Sequence, residues 1–338
     1  MQRITQLLTI LALAGVLVGC NSGAKSAETT PNPDKQPSTT TNLKIAVIPK
    51  GSTHEFWKSV HAGADEAAKE LGVEVIWKGP DKEDNRDSQI STVQDFTSQK
   101  VNGIVLAPID DSALRMPVDE AQKAGIPVLI IDSGLKDIET VSFVATDNEV
   151  GGKMAGEHLV KLLGGKGNVI MLRYLAGSAS TDAREKGFLA VMSANPGIKV
   201  VSENQYAGAS TESAAKASEN LLNSLKGDDG VPKVDGIFCP NESATFGMLR
   251  VLQDGGLAGR VKFVGFDASA KLLEGLRANQ INGLIIQNPH NMGYLGVKTL
   301  VAKLRGGTVE KRIDTGATLV TPDNIGQPEI AKLLEGPK

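Results

Sequence analysis

Short apolar runs alternate with segments of helical period from residue 43 to about residue 321, and this alternation limits the fold more than any other feature. The apolar residues of each run are consecutive, as in strands covered on both faces. Between the first two runs, Phe56, Val60 and Ala64 recur every four residues, and Gly72 follows where a helix commonly ends. Repeats of strand, helix and strand force parallel sheets with right-handed crossovers. The sequence therefore predicts an α/β fold of doubly wound parallel sheets.

The length and charge of the chain restrict its class further. A chain of 338 residues exceeds the usual size of one domain, so two domains are expected. The net charge of -3 gives no basic excess of the kind that a phosphate-binding surface requires. We therefore expect no nucleic-acid partner.

The first twenty residues, 1–20, are interpreted as a signal peptide rather than as part of the fold. Arg3 gives a positive start, residues 7–18 form an apolar run too short for an ordinary membrane span, and "LVGC" ends it at Cys20. This ending resembles a bacterial lipobox, which implies cleavage before Cys20 and lipid attachment to it. A plain secretory signal or a short anchor is the alternative. Either signal interpretation predicts a protein that works outside the cytoplasm.

The next segment, residues 21–42, is predicted to be a disordered tether. It has almost no apolar side chains and contains three prolines, so burial could not offset the entropy of ordering it. Cys239 is the only cysteine left for the folded part, which excludes an internal disulfide there. We interpret Cys239 as a buried, unreactive thiol.

Polar side chains stand where several apolar runs end. They are Lys50, Asp132, Asn241, Asp267 and Gln287. Parallel sheets of this type bind ligands outside the carboxyl ends of their strands, so these residues are expected to gather at one edge. For any single Asp or Asn, a cap for the following helix is the more frequent role, and Asp110 or Asp111 after the third run fits that role better than a ligand role. Taken as a set, they predict a ligand site.

Tests for familiar enzyme motifs fail. "HEFWK" at 54–58 lacks the second histidine of a zinc-protease helix, and the other histidines are dispersed. The glycine-rich segments at 151–157 and 163–169 lack the spacing of a phosphate loop, and 177–187 lacks a G-x-S-x-G elbow. We therefore predict no catalytic residues, no metal and no cofactor.

An ordered series of fragments carries a family resemblance through residues 43–321. The fragments are "FWKSVHAGADEAAKELG", "GIVLAPID", "AGIPVLIID", "ATDNEVGGKMAGEHL", "AREKGF", "FCPNESATFGMLRVL", "VGFDAS" and "IIQNPHNMGYLG". Together they resemble the periplasmic sugar-binding proteins of the ribose and galactose type, which share their fold with the effector domains of LacI-like repressors. The resemblance implies a type I periplasmic binding protein whose two lobes are joined by a three-segment hinge. The lobes implied are 43–146 plus 288–315, and 147–287 plus 316–338.

The resemblance also implies a set of ligand contacts. They are Phe56 and Trp57 as aromatic walls, with Asp132, Arg184, Asn241, Asp267 and Gln287 as polar contacts. Carboxylate, guanidinium and amide groups bridge neighbouring hydroxyls, and aromatic faces cover the apolar face of a sugar ring. These residue types suit a small sugar.

Two further candidates are departures from the ribose-type pattern. Lys50 stands where that pattern has a small polar residue, His54 replaces an amide, and Ser133 stands where an arginine is expected. The lysine and the "GP" at 79–80 look more like receptors for autoinducer-2 and rhamnose-like sugars, in which that lysine touches ligand. Alternatively, Lys50 is solvated and His54 caps a helix.

Other local interpretations stay open at this point. Phe56 and Trp57 lie about 100° apart on a helix, so at most one points fully into the core. We expect Phe56 to be the more buried and Trp57 to face the ligand. Arg184 has the alternative of pairing with a surface carboxylate. The charged run at 81–87 is expected to be a solvated loop.

The function implied is that of a monomeric substrate-binding component of an ABC importer. It would hold a sugar or sugar-like ligand between closing lobes and deliver it to the permease subunits, with the lipid on Cys20 keeping it at the membrane. The alternative is a sensory receptor for a sugar or furanosyl signal that acts on a membrane kinase or chemoreceptor. A repressor would need a helix-turn-helix before residue 43, where the lipobox-like segment stands instead.

Overall fold

The structure of the protein is a computed structural model, and it describes residues 43–335. The predicted signal peptide, Cys20 and the predicted tether lie outside this range. Two six-stranded sheets with helices on both faces form the described part. No helix between residues 43 and 335 has the length and apolar character needed to cross a membrane.

The first sheet is parallel throughout. It contains β1 (Lys44–Ile48), β2 (Glu74–Trp77), β3 (Gly103–Leu106), β4 (Val128–Ile131), β5 (Phe143–Ala145) and β11 (Arg312–Asp314), in the order β2-β1-β3-β4-β5-β11. One face packs on α1 (Glu55–Leu71) and α9 (Pro289–Leu304), and the other packs on α2 (Arg86–Ser98) and α3 (Arg115–Lys123). Burial of both faces explains why the runs are continuously apolar.

The second sheet repeats the same winding. It contains β6 (Gly167–Arg173), β7 (Ile198–Tyr206), β8 (Gly236–Phe238), β9 (Lys262–Phe266), β10 (Gly283–Gln287) and β12 (Ala317–Val320), in the order β7-β6-β8-β9-β10-β12. One face packs on α4 (Asn148–Leu163) and α5 (Ala179–Ser193); the other packs on α6 (Thr211–Ser224), α7 (Glu242–Asp254), α8 (Ala270–Arg277) and α10 (Pro328–Glu335). The predicted doubly wound α/β fold is confirmed. The edge strand β12 runs antiparallel to β10.

The chain passes between the two sheets after β5, after β10 and after β11. The first and last of these crossings are joined to each other. The carboxylate of Asp314 accepts hydrogen bonds from the backbone N–H of Asp147 at 3.1 Å and of Gly316 at 2.9 Å. The hydroxyl of Thr146 donates to the carbonyl oxygen of Gly316 at 3.1 Å. These bonds make two of the three connections a single paired strap.

On each sheet, one pair of neighbouring helices is in backbone contact, because each helix of the pair has a glycine where it faces the other. A Cβ added to Gly63 of α1 would overlap the carbonyl oxygen of His290 at the start of α9, and one added to Gly293 would overlap that of Val60. Gly152 of α4 and its partner on α5 show the same arrangement. Only glycine permits this close approach, so each helix pair is locked against its neighbour.

We predict that Gly63→Ala lowers the free energy of unfolding by about 1–3 kcal/mol, because the new methyl group forces α1 away from α9. Helix propensity alone would give about 1 kcal/mol in the opposite direction. Chemical denaturation measures the difference. Gly326→Ala is the matched control, since nothing lies within 4 Å of the added methyl there. Equal stability of the two variants would contradict the close helix contact.

Candidate functional site

The carboxyl ends of the strands in both sheets face each other and enclose a cavity of about 30 Å³. All nine residues that the sequence singled out for ligand binding line this cavity. They come from the loops after β1, β4 and β9, from the last residue of β10, from the first turn of α1, from the first half of α5 and from the residue that caps α7. The structure thus brings the set together, while the ligand contact of each residue stays a prediction.

A buried ion pair joins two of the predicted residues of the first sheet. The Nζ atom of Lys50 lies 2.8 Å from Oδ2 of Asp132, and both side chains are about 5% exposed. The same Nζ donates to the hydroxyl of Ser180 on α5 at 3.1 Å, and the backbone N–H of Ser180 donates to Oγ of Ser133 at 3.0 Å. Lys50 is therefore not solvated, and it connects the two sheets directly.

The guanidinium of Arg184 is buried in the second half of the site. Its Nε donates to Oδ1 of Asn148 and its Nη1 to the carbonyl oxygen of Pro240, each at 2.8 Å. The group lies over the ring of Phe266, 4.0 Å from its centroid. Burial lowers the pKa of Arg184, and the nearby carboxylates of Asp267 and Asp132 oppose that effect. The alternative of a surface ion pair for Arg184 is wrong.

Asp267 is held in place by two donors. Its Oδ1 accepts from Nε2 of Gln287 at 2.8 Å and its Oδ2 from the backbone N–H of Glu242 at 2.9 Å. Burial raises the pKa of Asp267, although the charge of Arg184 and the bond from Gln287 lower it. Asp267 and Asp132 both have left-handed backbones, with φ of 71° and 61°. Side chains other than glycine adopt this region rarely, so both carboxylates stand on strained turns at strand ends.

Asn241 caps the N-terminus of α7 and also lines the cavity. Its Oδ1 accepts from the backbone N–H of Ala244, and its Nδ2 donates to Oγ of Ser243, both at 3.2 Å. The capping alternative is therefore correct for Asn241. Asp110 closes the mostly buried turn after β3 and does not cap α3: its Oδ1 accepts from the backbone N–H of Ser112 at 3.0 Å and of Ala113 at 2.8 Å, whereas α3 begins at Arg115 without a side-chain cap.

The expected order of burial of the two aromatic neighbours is wrong, although both line the cavity. Trp57 is the buried one, 2% exposed and packed in the core beside α9, whereas Phe56 is half-buried at the cavity. The two rings meet edge to face with centroids 4.9 Å apart. The indole Nε1–H of Trp57 donates to Glu83 at 2.7 Å, which explains how a tryptophan fits in this interior.

Glu83 was missed by the sequence interpretation. It lies in the charged run 81–87, and its neighbours are exposed as predicted, but Glu83 itself is 6% exposed and lines the cavity. Its carboxylate accepts from Trp57, from Nδ1 of His54 at 2.6 Å and from the hydroxyl of Tyr174 at 2.9 Å. Tyr174 belongs to the second sheet, so this carboxylate also bridges the cleft.

The His54 ring turns to Glu83 instead of capping α1, with which it makes no capping bond. Burial lowers the pKa of His54, but the charge and hydrogen bond of Glu83 outweigh burial and raise it to about 9. Conversely, burial raises the pKa of Glu83, while the charge and hydrogen bond of His54 bring it down to about 2. His54 and Glu83 therefore form a charged pair at neutral pH.

The free N–H groups of α1 are capped from the other side of the cleft. The carboxylate of Glu242, at the start of α7, accepts from the backbone N–H of Glu55 at 3.3 Å and of Phe56 at 3.2 Å. An anion at a helix N-terminus is favourable because the helix dipole is positive there. Burial raises the pKa of Glu242, which the charge of His54 and these N–H groups oppose.

A larger open cleft of about 820 Å³ adjoins the small cavity. It shares Phe56, Glu242, Asp267 and Gln287 with the cavity and continues between α1, α9 and α10. This cleft connects the buried site with solvent.

The fold and the site together define a class of two-lobed ligand-binding protein with a polar, charge-balanced cleft. The chain matches the periplasmic binding protein domain family over residues 45–308, and it belongs to that family. Family membership places the protein outside the cytoplasm.

Individual relatives are sugar receptors. The chain is 29% identical over 276 residues to the ribose import binding protein RbsB of Escherichia coli strain K12, covering 82% of this chain and 90% of the relative. A carbohydrate transporter solute binding protein from Agrobacterium radiobacter, in complex with D-arabinose, has a TM-score of 0.83 and 34% identity, covering 88% of this chain and 100% of the other. An Agrobacterium vitis ABC transporter solute binding protein with bound D-fucose has a TM-score of 0.81 and 34% identity, covering 85% and 98%.

We predict a pH-dependent contribution of His54 to stability. A folded-state pKa of about 9 against an ordinary value of 6.5 gives stabilisation that is complete below pH 6.5 and is lost as the pH rises through 9. The difference in free energy of unfolding between wild type and His54→Gln should shrink by about 3 kcal/mol from pH 6 to pH 10. Urea denaturation across that range measures it.

His61→Gln is the control, because His61 lies on the outer side of α1, away from the cavity, where its ring stacks on Trp77 and its Nε2 lies 3.5 Å from Asp65. Its difference from wild type should change little with pH. A His54→Gln difference that does not change with pH would show that folding does not raise the pKa of His54.

Proposed function

We propose that this protein is the sugar-binding component of an ABC importer, which holds a monosaccharide between its two lobes and presents it to the permease. Its family, together with relatives named for ribose import and for D-arabinose and D-fucose binding, supports import over the sensory alternative. The ligand class follows from the polar groups of the cleft.

The observation that carries this proposal is a set of buried polar atoms without partners in the described part of the chain. Three of the five such atoms, Nη2 of Arg184, Oε1 of Gln287 and Oγ of Ser178, belong to residues that line the cavity, and the other two, in Ser142 and Thr315, lie away from it. Leaving such atoms unpaired is costly, so a site that keeps one donor, one acceptor and one hydroxyl suits a ligand that supplies several hydroxyls. A sugar meets that requirement, and its apolar face fits against the half-buried ring of Phe56.

The site also has nearly balanced charge. Three cationic groups, Lys50, His54 and Arg184, stand opposite the carboxyl groups of Glu83, Asp132, Glu242 and Asp267, so the formal charges differ by one, and burial raises the pKa of Asp267 and of Glu242, which reduces that excess of negative charge. A neutral polyol therefore fits the site without adding an uncompensated charge to a desolvated space.

Binding requires the lobes to separate and close again. A cavity of about 30 Å³ is far below the roughly 300–1,000 Å³ of ordinary ligand pockets. We propose that the moving bodies are 43–146 plus 288–315 and 147–287 plus 316–338, because the helices of each set pack on their own sheet. A sugar that touches both lobes favours the closed form, and the permease would recognise that form.

We further propose that the protein is a monomer that returns its ligand unchanged and is held at the membrane by lipid on Cys20. The "LVGC" segment before Cys20 supports lipid attachment, and the lack of enzyme motifs in the sequence supports a role in binding alone. A tethered receptor would stay near the permease it serves.

A thermal-shift screen of pentoses, hexoses, deoxysugars, sugar acids and autoinducer-2 tests the ligand class. A sugar at a hundredfold excess over its dissociation constant should stabilise the protein by about 2.7 kcal/mol. Asp267→Asn and Arg184→Ala should each abolish the shift, because both remove a buried ligand contact. Circular dichroism checks that they fold.

Asp254→Asn and Arg277→Ala are the matched controls, since both side chains lie exposed at helix ends of the same lobe. They should keep the full shift. Wild-type responses in Asp267→Asn and Arg184→Ala would place the ligand elsewhere, and a screen without any response would contradict sugar binding.

Lipid attachment is tested by Cys20→Ala. In a bacterial host with the lipoprotein pathway, the wild type should fractionate with membranes and take up a fatty-acid label, whereas Cys20→Ala should do neither. Cys239→Ala is the control, because Cys239 is fully buried in the fold and should not affect labelling. Equal labelling of wild type and Cys20→Ala would exclude this anchor.

A further inference from the structure

We propose that Glu83 is a positioning residue for sugar binding, whose carboxylate orients the His54 ring so that its Nε2–H donates to an oxygen of the bound sugar. The inference rests on the proposed function and adds a determinant of selectivity to it. Glu83 does not have to touch the sugar itself, because it acts through His54.

The hydrogen bonds of Glu83 require a carboxylate. Oε1 accepts from both Nδ1 of His54 and Nε1 of Trp57, and Oε2 accepts from the hydroxyl of Tyr174. An ionised carboxylate has only acceptor sites, so it satisfies three donors at once. The amide of a glutamine would turn an NH₂ group towards at least one of those donors.

The bond to Glu83 decides which edge of the His54 ring is left for the cavity. Nδ1 is occupied, the hydrogen bonds and ion pairs of residues 43–335 include none to Nε2, and Nε2 is not one of the fully buried unpaired atoms, so it stays accessible from the cavity. His54 is 8% exposed and lines the cavity, so Nε2 is the polar atom that it offers there. Once both ring nitrogens carry protons, Nε2 is a donor and cannot accept.

Acidic groups face His54 from three elements. Glu83 lies in the loop after β2, Glu242 at the start of α7 and Asp267 after β9, and each favours the charged ring. Lys50 and Arg184 line the same cavity but form their own contacts with Asp132 and Asn148. The charged ring therefore has its counter-charge built into the fold, independent of ligand.

The consequence is a requirement on the ligand. The group that meets Nε2 has to accept a hydrogen bond, which a ring oxygen, a carbonyl or a hydroxyl oxygen does and a C–H group does not. A sugar that lacks an oxygen at that position would exclude water from this charged donor without giving it a partner. Discrimination against such a sugar is strong, because its binding would leave a polar group of the protein without a hydrogen-bond partner.

The first experiment needs no sugar. Side-chain ¹⁵N NMR follows the four histidines from pH 5 to pH 10, with His54 assigned by His54→Gln. In the wild type, His54 should keep both protons until about pH 9. In Glu83→Gln the midpoint should fall by about 2 pH units or more, because burial then acts without the charge partner. Asp84→Asn, an exposed neighbour in the same loop, should leave the midpoint unchanged.

The second experiment measures the dissociation constant of D-arabinose at pH 6, 7, 8 and 9 by calorimetry. Glu83→Gln should weaken binding by about tenfold or more at pH 8 and by less at pH 6, where His54 regains its proton. Tyr174→Phe, which removes one donor and leaves the pair of Glu83 and His54, should keep the wild-type pH profile. Asp84→Asn should match the wild type throughout.

The two experiments separate the possible failures. A neutral His54 at pH 7 in the wild type, or the same midpoint in Glu83→Gln, overturns the positioning role whatever the sugar result. A shifted midpoint with an equal loss of affinity at every pH shows that Glu83 is merely structural. If His54 titrates as expected in both proteins but no sugar binds, the proposed function is overturned. The pair of His54 and Glu83 then contributes to stability alone.

Discussion

The need to pair charges in a dry cleft governs the site of this protein. Charged groups such as Lys50, Glu83 and Arg184 are each less than a tenth exposed, and an isolated charge in such a place is expensive. The fold meets this cost with partners that come from separate elements, as in the 2.8 Å contact between Lys50 and Asp132. Because the partners lie far apart in sequence, the site exists only when both sheets are complete.

Several of these partnerships cross between the lobes. Glu242 caps α1, Tyr174 donates to Glu83, and Lys50 donates to Ser180. They stabilise closure without help from a ligand, so a sugar has to improve on them to shift the population. The balance between open and closed forms therefore depends on contacts made within the protein, such as those of Glu242 with the backbone of α1.

The fold was predictable because parallel strands buried on both faces leave a strong pattern of continuous apolar runs. The polar strand ends Lys50, Asp132 and Asp267 were predictable for a related reason, since the geometry of the sheet brings them to one edge. The antiparallel direction of β12 and the short strand β11 were not, because each has few residues and no pattern that distinguishes it from a loop.

The errors at the site have a common physical cause. Glu83 was read as part of a solvated run, because nothing in "DKEDNRD" marks the one residue that faces inward. Trp57 is more buried than Phe56 because Glu83 accepts its N–H, and that partner was invisible without the loop conformation. Tyr174 had a usable signal, as it directly follows the strand β6. Where the burial of a residue depends on a single partner that is distant in sequence, the local sequence pattern does not reveal it.

The paired strap at Asp314 bears on how the lobes move. Because the carboxylate of Asp314 holds the backbone N–H of Asp147 in the other connection, we expect these two connections to bend together, which favours rotation of the lobes about one axis. Rigid halves on one axis behave as a lever: a small change at the sugar becomes a larger displacement at the far rim of each lobe. A pair of fluorescent labels on the two rims would convert that displacement into an optical signal, which makes the scaffold suitable for a sugar sensor.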